Sequence, residues 1–199
     1  MEYMDEKILA FLNQAENAKA PNNIGTGPVR VGNRFYEFEQ QAFWENKVRL
    51  YIPKDFEDMP EQQRTLKYPY EQRPQIIKSD ETGSINFTLN RVDQDLQDQW
   101  VKRLTDGMKA MIKQANPANV FYTDGVEVVD EKQVGYFEFK SPALDGFLYH
   151  LMFFFALEGK MAMGTFCCPF AKYEEWREIA FQVVRTLSVT EEDKGEEQG

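Results

Sequence analysis

Phe147-Leu148-Tyr149-His150-Leu151-Met152-Phe153-Phe154-Phe155-Ala156-Leu157 is the most apolar stretch of the chain. It is too short to cross a bilayer, which takes about 20 apolar residues. Read as a strand, it puts Phe147, Tyr149, Leu151, Phe153 and Phe155 on one side, with Leu148, Met152, Phe154 and Ala156 on the other. A strand apolar on both sides is buried on both sides, so helices are expected over both faces of its sheet. Glu158-Gly159 then supplies a two-residue hairpin signal into a strand over Lys160–Cys168. Upstream, Val134–Lys140 reads as a strand, as do Val120–Tyr122 and Val126–Val129 across an Asp124-Gly125 turn.

Helical periodicity flanks this run of strands. Over 94–114, Leu96, Trp100, Leu104, Met108 and Met111 form one stripe, with Asp93 as cap and Asn116-Pro117 as stop. Over 171–187, Trp176, Ile179, Ala180, Val183, Val184 and Leu187 point inward. Nearer the N-terminus, Phe35–Glu39 and Lys47–Ile52 read as strands, the second with Val48, Leu50 and Ile52 on one face and Pro53 at its end. Residues 54–74 make a long connection with one helical turn. Gln75–Ser79 and Ser84–Asn90 form a hairpin, with Ile85, Phe87 and Leu89 facing one way. The fold class is α+β, a mainly antiparallel sheet of six to seven strands between helices.

Spacings among Ile8, Leu9, Phe11, Leu12 and Ala15 predict a further helix over 4–17, followed by a Pro- and Gly-rich loop over 18–33. The expected organisation is an N-terminal helix and linker over 1–33, one domain over 34–189, and an acidic disordered tail over 190–199. That tail holds Glu191, Glu192, Asp193, Glu196 and Glu197 against Lys194. With 33 acidic and 23 basic side chains the net charge is −10, which repels nucleic acid and anionic membranes. The start, Met1-Glu2-Tyr3-Met4-Asp5, has no basic segment leading into an apolar one, so it does not read as a secretory signal. Cys167 and Cys168 are adjacent and offer no ordinary disulfide framework. The expected compartment is the cytoplasm, with no membrane span.

Chemical signatures are sparse. His150 is the one histidine, and Cys167-Cys168 lacks metal-ligand spacing, so neither a metal nor a cofactor is expected. His150 reads as a core or edge histidine, and a Cys–His nucleophile pair would lack a third residue to orient it. Gly25-Thr26-Gly27 leads into Pro28 and is loop punctuation. Asp93, Asp95 and Asp98 lack the glycine of a calcium loop and read as serving a helix N-terminus. The candidate recognition residues are Lys67, Tyr68, Tyr70 and Arg73 on a proline-stiffened segment, joined by Phe43 and Trp44. Tyrosine and arginine on a stiff loop bind at low entropic cost.

Leu50-Tyr51-Ile52-Pro53-Lys54-Asp55-Phe56 resembles the opening of PsbP-like proteins, whose relatives include the bacterial DcrB-type proteins and the yeast Ran-nucleotide-release factor. Tyr136–Ser141, Tyr149–Phe154 and Gly164–Pro169 before a Trp-bearing last helix are also similar, so the resemblance covers about 34–187. It implies a six- or seven-stranded antiparallel sheet between helices and an accessory, partner-binding role without a shared active site. DcrB-type members are exported lipoproteins, and no lipid-attachment cysteine stands near this chain's start. Three functional readings follow. The first is a non-catalytic cytoplasmic adaptor that binds another protein, with a homodimer as an option. The second is a small-molecule or lipid carrier with an apolar pocket. The third is a Cys/His hydrolase.

Overall fold

The structure is a computed structural model and describes residues 23–69 and 73–190. The helix expected over 4–17, the start of the 18–33 loop, Tyr70, and the acidic tail from Glu191 lie outside the described residues.

Twelve strands and three helices follow in order among those residues. Strands β1 (Val29–Val31) and β2 (Arg34–Tyr36) form a hairpin. Strands β3 (Phe38–Phe43) and β4 (Val48–Pro53) form another, and β5 (Glu57–Asp58) and helix α1 (Glu61–Lys67) follow. Next come β6 (Ile76–Ser79), β7 (Asn86–Asp95), α2 (Val101–Ala115), β8 (Val120–Val129) and β9 (Lys132–Ala143). Strands β10 (Gly146–Leu157) and β11 (Lys160–Pro169), helix α3 (Tyr173–Arg185) and β12 (Ser188–Val189) complete the chain. The main sheet has seven antiparallel strands in the order β5-β6-β7-β11-β10-β9-β8, and β12-β4-β3 form a smaller sheet.

Strand β10 is an interior strand, and its two faces belong to two separate cores. Tyr149, Leu151, Phe153, Phe155 and Leu157 enter the larger core with Trp176, Ile179 and Val183 of α3 and Val48, Leu50 and Ile52 of β4. Met152, Phe154 and Ala156 enter the smaller core with Val101 of α2 and Phe137. One face is therefore covered by a helix alone. The other is covered by a helix together with the small sheet, because β4 is itself apolar on its inner side. At the β10–β11 turn Glu158 and Gly159 both take positive φ, 52° and 75°, the geometry of a type I′ hairpin.

Several local expectations are corrected. The 18–33 loop contains β1, and Ile24, Val29 and Val31 are buried in the main core. Phe35–Glu39 is broken at Glu37 between β2 and β3. The connection 54–74 holds a short strand and a two-turn helix. The helix expected from residue 94 begins at Val101, after a 3₁₀ turn over Asp98–Trp100, and Trp100 stands at its N-cap. Asp93 and Asp95 instead end β7 and both bind Lys160 at 2.8 Å, so they serve a strand end and not a helix dipole. Strand β8 is continuous, with a bulge between Phe121 and Asp124 where a turn was expected.

Candidate protein-binding surface

Strand β10 surfaces at its start. The turn from β9 carries Leu144, which is fully exposed, and Phe147 is half exposed. Register pairs Phe147 with Pro142, and Lys140 with both Tyr149 and Val120, so these side chains share a face. After β11, Phe170 comes back over the same spot from a 3₁₀ turn. The Lys140 ammonium is held between two rings, 4.1 Å from Phe147 and 4.2 Å from Phe170. Phe170 stacks on Tyr173 at 5.2 Å, and Tyr173 stacks on Tyr122 at 5.7 Å. The result is an aromatic platform that runs from Phe147 to Tyr122.

A buried carboxylate anchors this platform. Glu138 is fully buried on the same side of β9 as Lys140. It accepts from Tyr149 Oη at 2.6 Å, Arg177 Nη2 at 2.6 Å and Thr123 Oγ1 at 2.8 Å. Tyr149 packs edge-on against Tyr173 at 4.9 Å, which ties the anchor to the surface rings. Burial alone would raise the Glu138 carboxyl, but the bonds from Arg177, Tyr149 and Thr123 outweigh it and hold the group below its ordinary value. Burial, and then the neighbouring carboxylate, push the Tyr149 hydroxyl up. Glu138 is thus a charged, fully satisfied strut and holds no free proton to exchange.

The residues picked from sequence occupy two places. Phe43 is buried beside Val48, and Trp44 is half-buried at the β3–β4 turn with φ 50°. Lys67, at the end of α1, donates to the Gly83 carbonyl at 2.7 Å, and Tyr68 Oη donates to Asn86 Oδ1 at 3.1 Å. Arg73 reaches Glu61 at 3.4 Å, and Leu66 beside them is 84% exposed. Tyr70 lies outside the described residues. The structure gathers Lys67 and Tyr68 over the β7–β11 end of the sheet and sets Phe43 and Trp44 in the other, smaller sheet. Sequence reasoning missed Lys140, Leu144, Phe147 and Phe170 as surface groups. The available signal was Pro142-Ala143-Leu144-Asp145-Gly146, a turn composition with a leucine at its centre.

His150 and Cys167 are register partners on adjacent strands. His150 Nε2 nevertheless meets Ser141 Oγ at 2.8 Å, and its ring stacks on Phe139 at 4.6 Å. Burial pushes the Cys167 thiol up to about 11 and pushes His150 down to about 4, so neutral pH holds a thiol and a neutral imidazole, not an activated pair. The unfolded chain takes up a proton near pH 6.5 that folded His150 refuses until about 4, so stability falls as pH drops through that window. Chemical denaturation at pH 6.5 and 5 should show the wild type losing more stability than His150→Gln. Equal losses would show that His150 titrates normally in the fold.

The interior leaves no room for a ligand around Phe153–Phe155. All three are essentially unexposed, and a Cβ on Gly164 would lie 2.1 Å from the Phe153 ring. A largely apolar surface groove lies instead along α2, lined by Leu96, Trp100, Leu104, Met108 and Met111, with a volume of about 440 Å³. It is open, and Trp100 and Met111 of the expected stripe are half exposed. Among the described residues no group of three or more His, Cys, Asp or Glu side chains could hold a metal ion, and no helix is long and apolar enough to cross a membrane.

No family model matches this sequence, and no curated protein is found similar to it. Solved structures do align. Cyanobacterial PsbP from Synechocystis sp. PCC 6803 superposes with a TM-score of 0.56 at 8% identity, covering 80% of this chain and 96% of that one. Looser alignments include the Ran-binding protein Mog1p of Saccharomyces cerevisiae, at TM-score 0.46 and 9% identity over 77% of this chain and 96% of that one. LpqN of Mycobacterium tuberculosis aligns at TM-score 0.47 and 10% identity over 81% and 95%. At these identities the likeness establishes the fold, which is PsbP-like.

Proposed function

We propose that this protein is a non-catalytic adaptor that binds another protein through the platform of Leu144, Phe147, Phe170 and Tyr173 around Lys140. The observation that carries this reading is the exposure of Leu144, in the β9–β10 turn, and of Phe147, at the start of an interior strand whose Tyr149 is tied to buried Glu138. Rigid aromatic and cationic groups lose little entropy when a partner covers them, which is the usual make-up of an interface hot spot. The segment of Lys67, Tyr68 and Arg73 is a second reading, favoured by the exposure of Leu66 beside it. The buried free thiols of Cys167 and Cys168 support a reducing compartment such as the cytoplasm.

Photo-reactive residues placed singly at Leu144, Leu66 and Phe35 separate these readings. The expected result is crosslinking to one discrete partner from position 144. Serine at both Leu144 and Phe147 should abolish capture of that partner with the melting temperature unchanged. Crosslinks from position 66 alone would move the interface to the α1 segment. Crosslinks from none of the three would overturn the adaptor reading.

A further inference from the structure

The main sheet ends on two very different edges. At one end β5 is two residues long, and both of them, Glu57 and Asp58, are exposed acids. That is a blunted edge, too short and too charged to pair with another chain. At the other end β8 is ten residues long and has no lysine or proline on it. Val120, Tyr122 and Val128 are exposed along it at 52%, 37% and 67%. Its acids are neutralised from the two faces of the sheet, Asp124 by Lys109 of α2 and Glu127 by Arg185 of α3. The backbone groups on its outer side have no strand partner among the described residues. A bulge interrupts this edge between Phe121 and Asp124, and the regular stretch from Asp124 to Val129, with its acids neutralised, is the part that templates strand pairing.

Charge along the edge says what it pairs with. Near the Val120 end, Lys113, Lys140 and Lys172 have no carboxylate partner among the described residues, although Asp145 and Glu174 lie in the same region. Near the Val129 end stand Asp130, Glu131 and Glu178, and Arg185 already serves Glu127 and Glu178 together. An antiparallel neighbour presents its own end opposite the start of β8. A second copy of this chain, turned about a two-fold axis, therefore sets each lysine-rich end against the other's acidic end. The edge is complementary to itself, as an isologous interface must be.

We infer that β8 pairs antiparallel with β8 of a second copy, forming a homodimer with one continuous fourteen-stranded sheet. Sedimentation equilibrium from micromolar to submillimolar protein tests this, with amide exchange followed at the same concentrations. A dimer is expected, and the β8 amides should slow as the dimer fills. Val128→Lys, at an exposed position, should raise the dissociation constant at least tenfold while the melting temperature of the monomer holds. Charge reversal adds a sharper arm. Lys113→Glu with Lys172→Glu should weaken self-association, as should Glu131→Lys with Glu178→Lys, and mixing the two variants should restore a heterodimer. A monomer at every concentration would overturn the inference. So would a dimer whose β8 amides exchange independently of concentration, since its contact would lie elsewhere.

Discussion

Glu138→Leu is expected to lower the stability of the fold by about 3 kcal/mol, the lower part of the range for a buried pair that loses one partner. The lower part applies because Arg177 is one-third exposed and recovers some hydration, whereas Glu138 is wholly buried. Tyr149, fully buried as well, also loses its acceptor. For a chain of this size the melting temperature should drop by roughly 6–12 °C. Changing both partners together, Glu138→Leu with Arg177→Met, should cost less than Glu138→Leu alone, because no uncompensated charge is left behind. The pH dependence carries a definite sign. The folded carboxyl sits below its ordinary value, so its contribution is complete above the unfolded value of about 4.3 and is lost as pH falls through the folded one. The Glu138→Leu variant should lack that acid-side loss. A change under about 1 kcal/mol by urea denaturation would mean that the strut is not formed in solution.

Gly164→Ala is the second large effect. Gly164 lies directly opposite Phe153 across the β10–β11 ladder, and the Phe153 ring packs flat over its backbone. An added Cβ would fall 2.1, 2.5 and 2.7 Å from three ring carbons, all far inside van der Waals contact. The ring cannot swing away, because Phe153 is 1% exposed and stacks on Phe155 at 6.3 Å. The expected cost is about 3 kcal/mol or more, the upper end for overpacking a filled core. Phe153→Leu frees part of that space, so the double variant should be more stable than Gly164→Ala alone. Additive losses, measured by thermal and chemical denaturation, would show that the two positions do not touch.

What could be read in advance follows the periodicities. A strand apolar on both faces has few alternatives, so the double burial of β10 and its hairpin to β11 were legible from Phe147–Leu157 and Glu158-Gly159 alone. The α3 stripe from Trp176 to Val184 was equally plain, since one apolar side faces one core. The start of α2 was not. Leu96 has the right spacing for the helix, but the chain up to Asp95 is drawn into β7 by its pairing with β11 and by Lys160. Tertiary pairing overrode local pattern there. Trp100 and Met111 shared a helical stripe with Leu104 and Met108, yet the face packed on the core runs through Val101, Leu104, Thr105, Met108 and Ile112, which leaves Met111 beside it and Trp100 in the turn before the helix. The platform was hidden for another reason. Phe147 belongs to the same apolar run as Phe153, and only the depth of the fold shows that one end of that run emerges. Phe170 and Lys140 lie thirty positions apart in sequence and meet because the 3₁₀ turn after β11 brings Phe170 back over β9.

Amide hydrogen exchange along β10, resolved residue by residue, tests the whole account most directly. If this strand is shielded from both sides and rises to the surface only at its start, Leu151 to Leu157 will be among the slowest amides in the protein, opening only with global unfolding. Exchange there as fast as at the Leu144 turn would mean that one side of the strand meets water, and neither the two cores nor the rigid platform would survive.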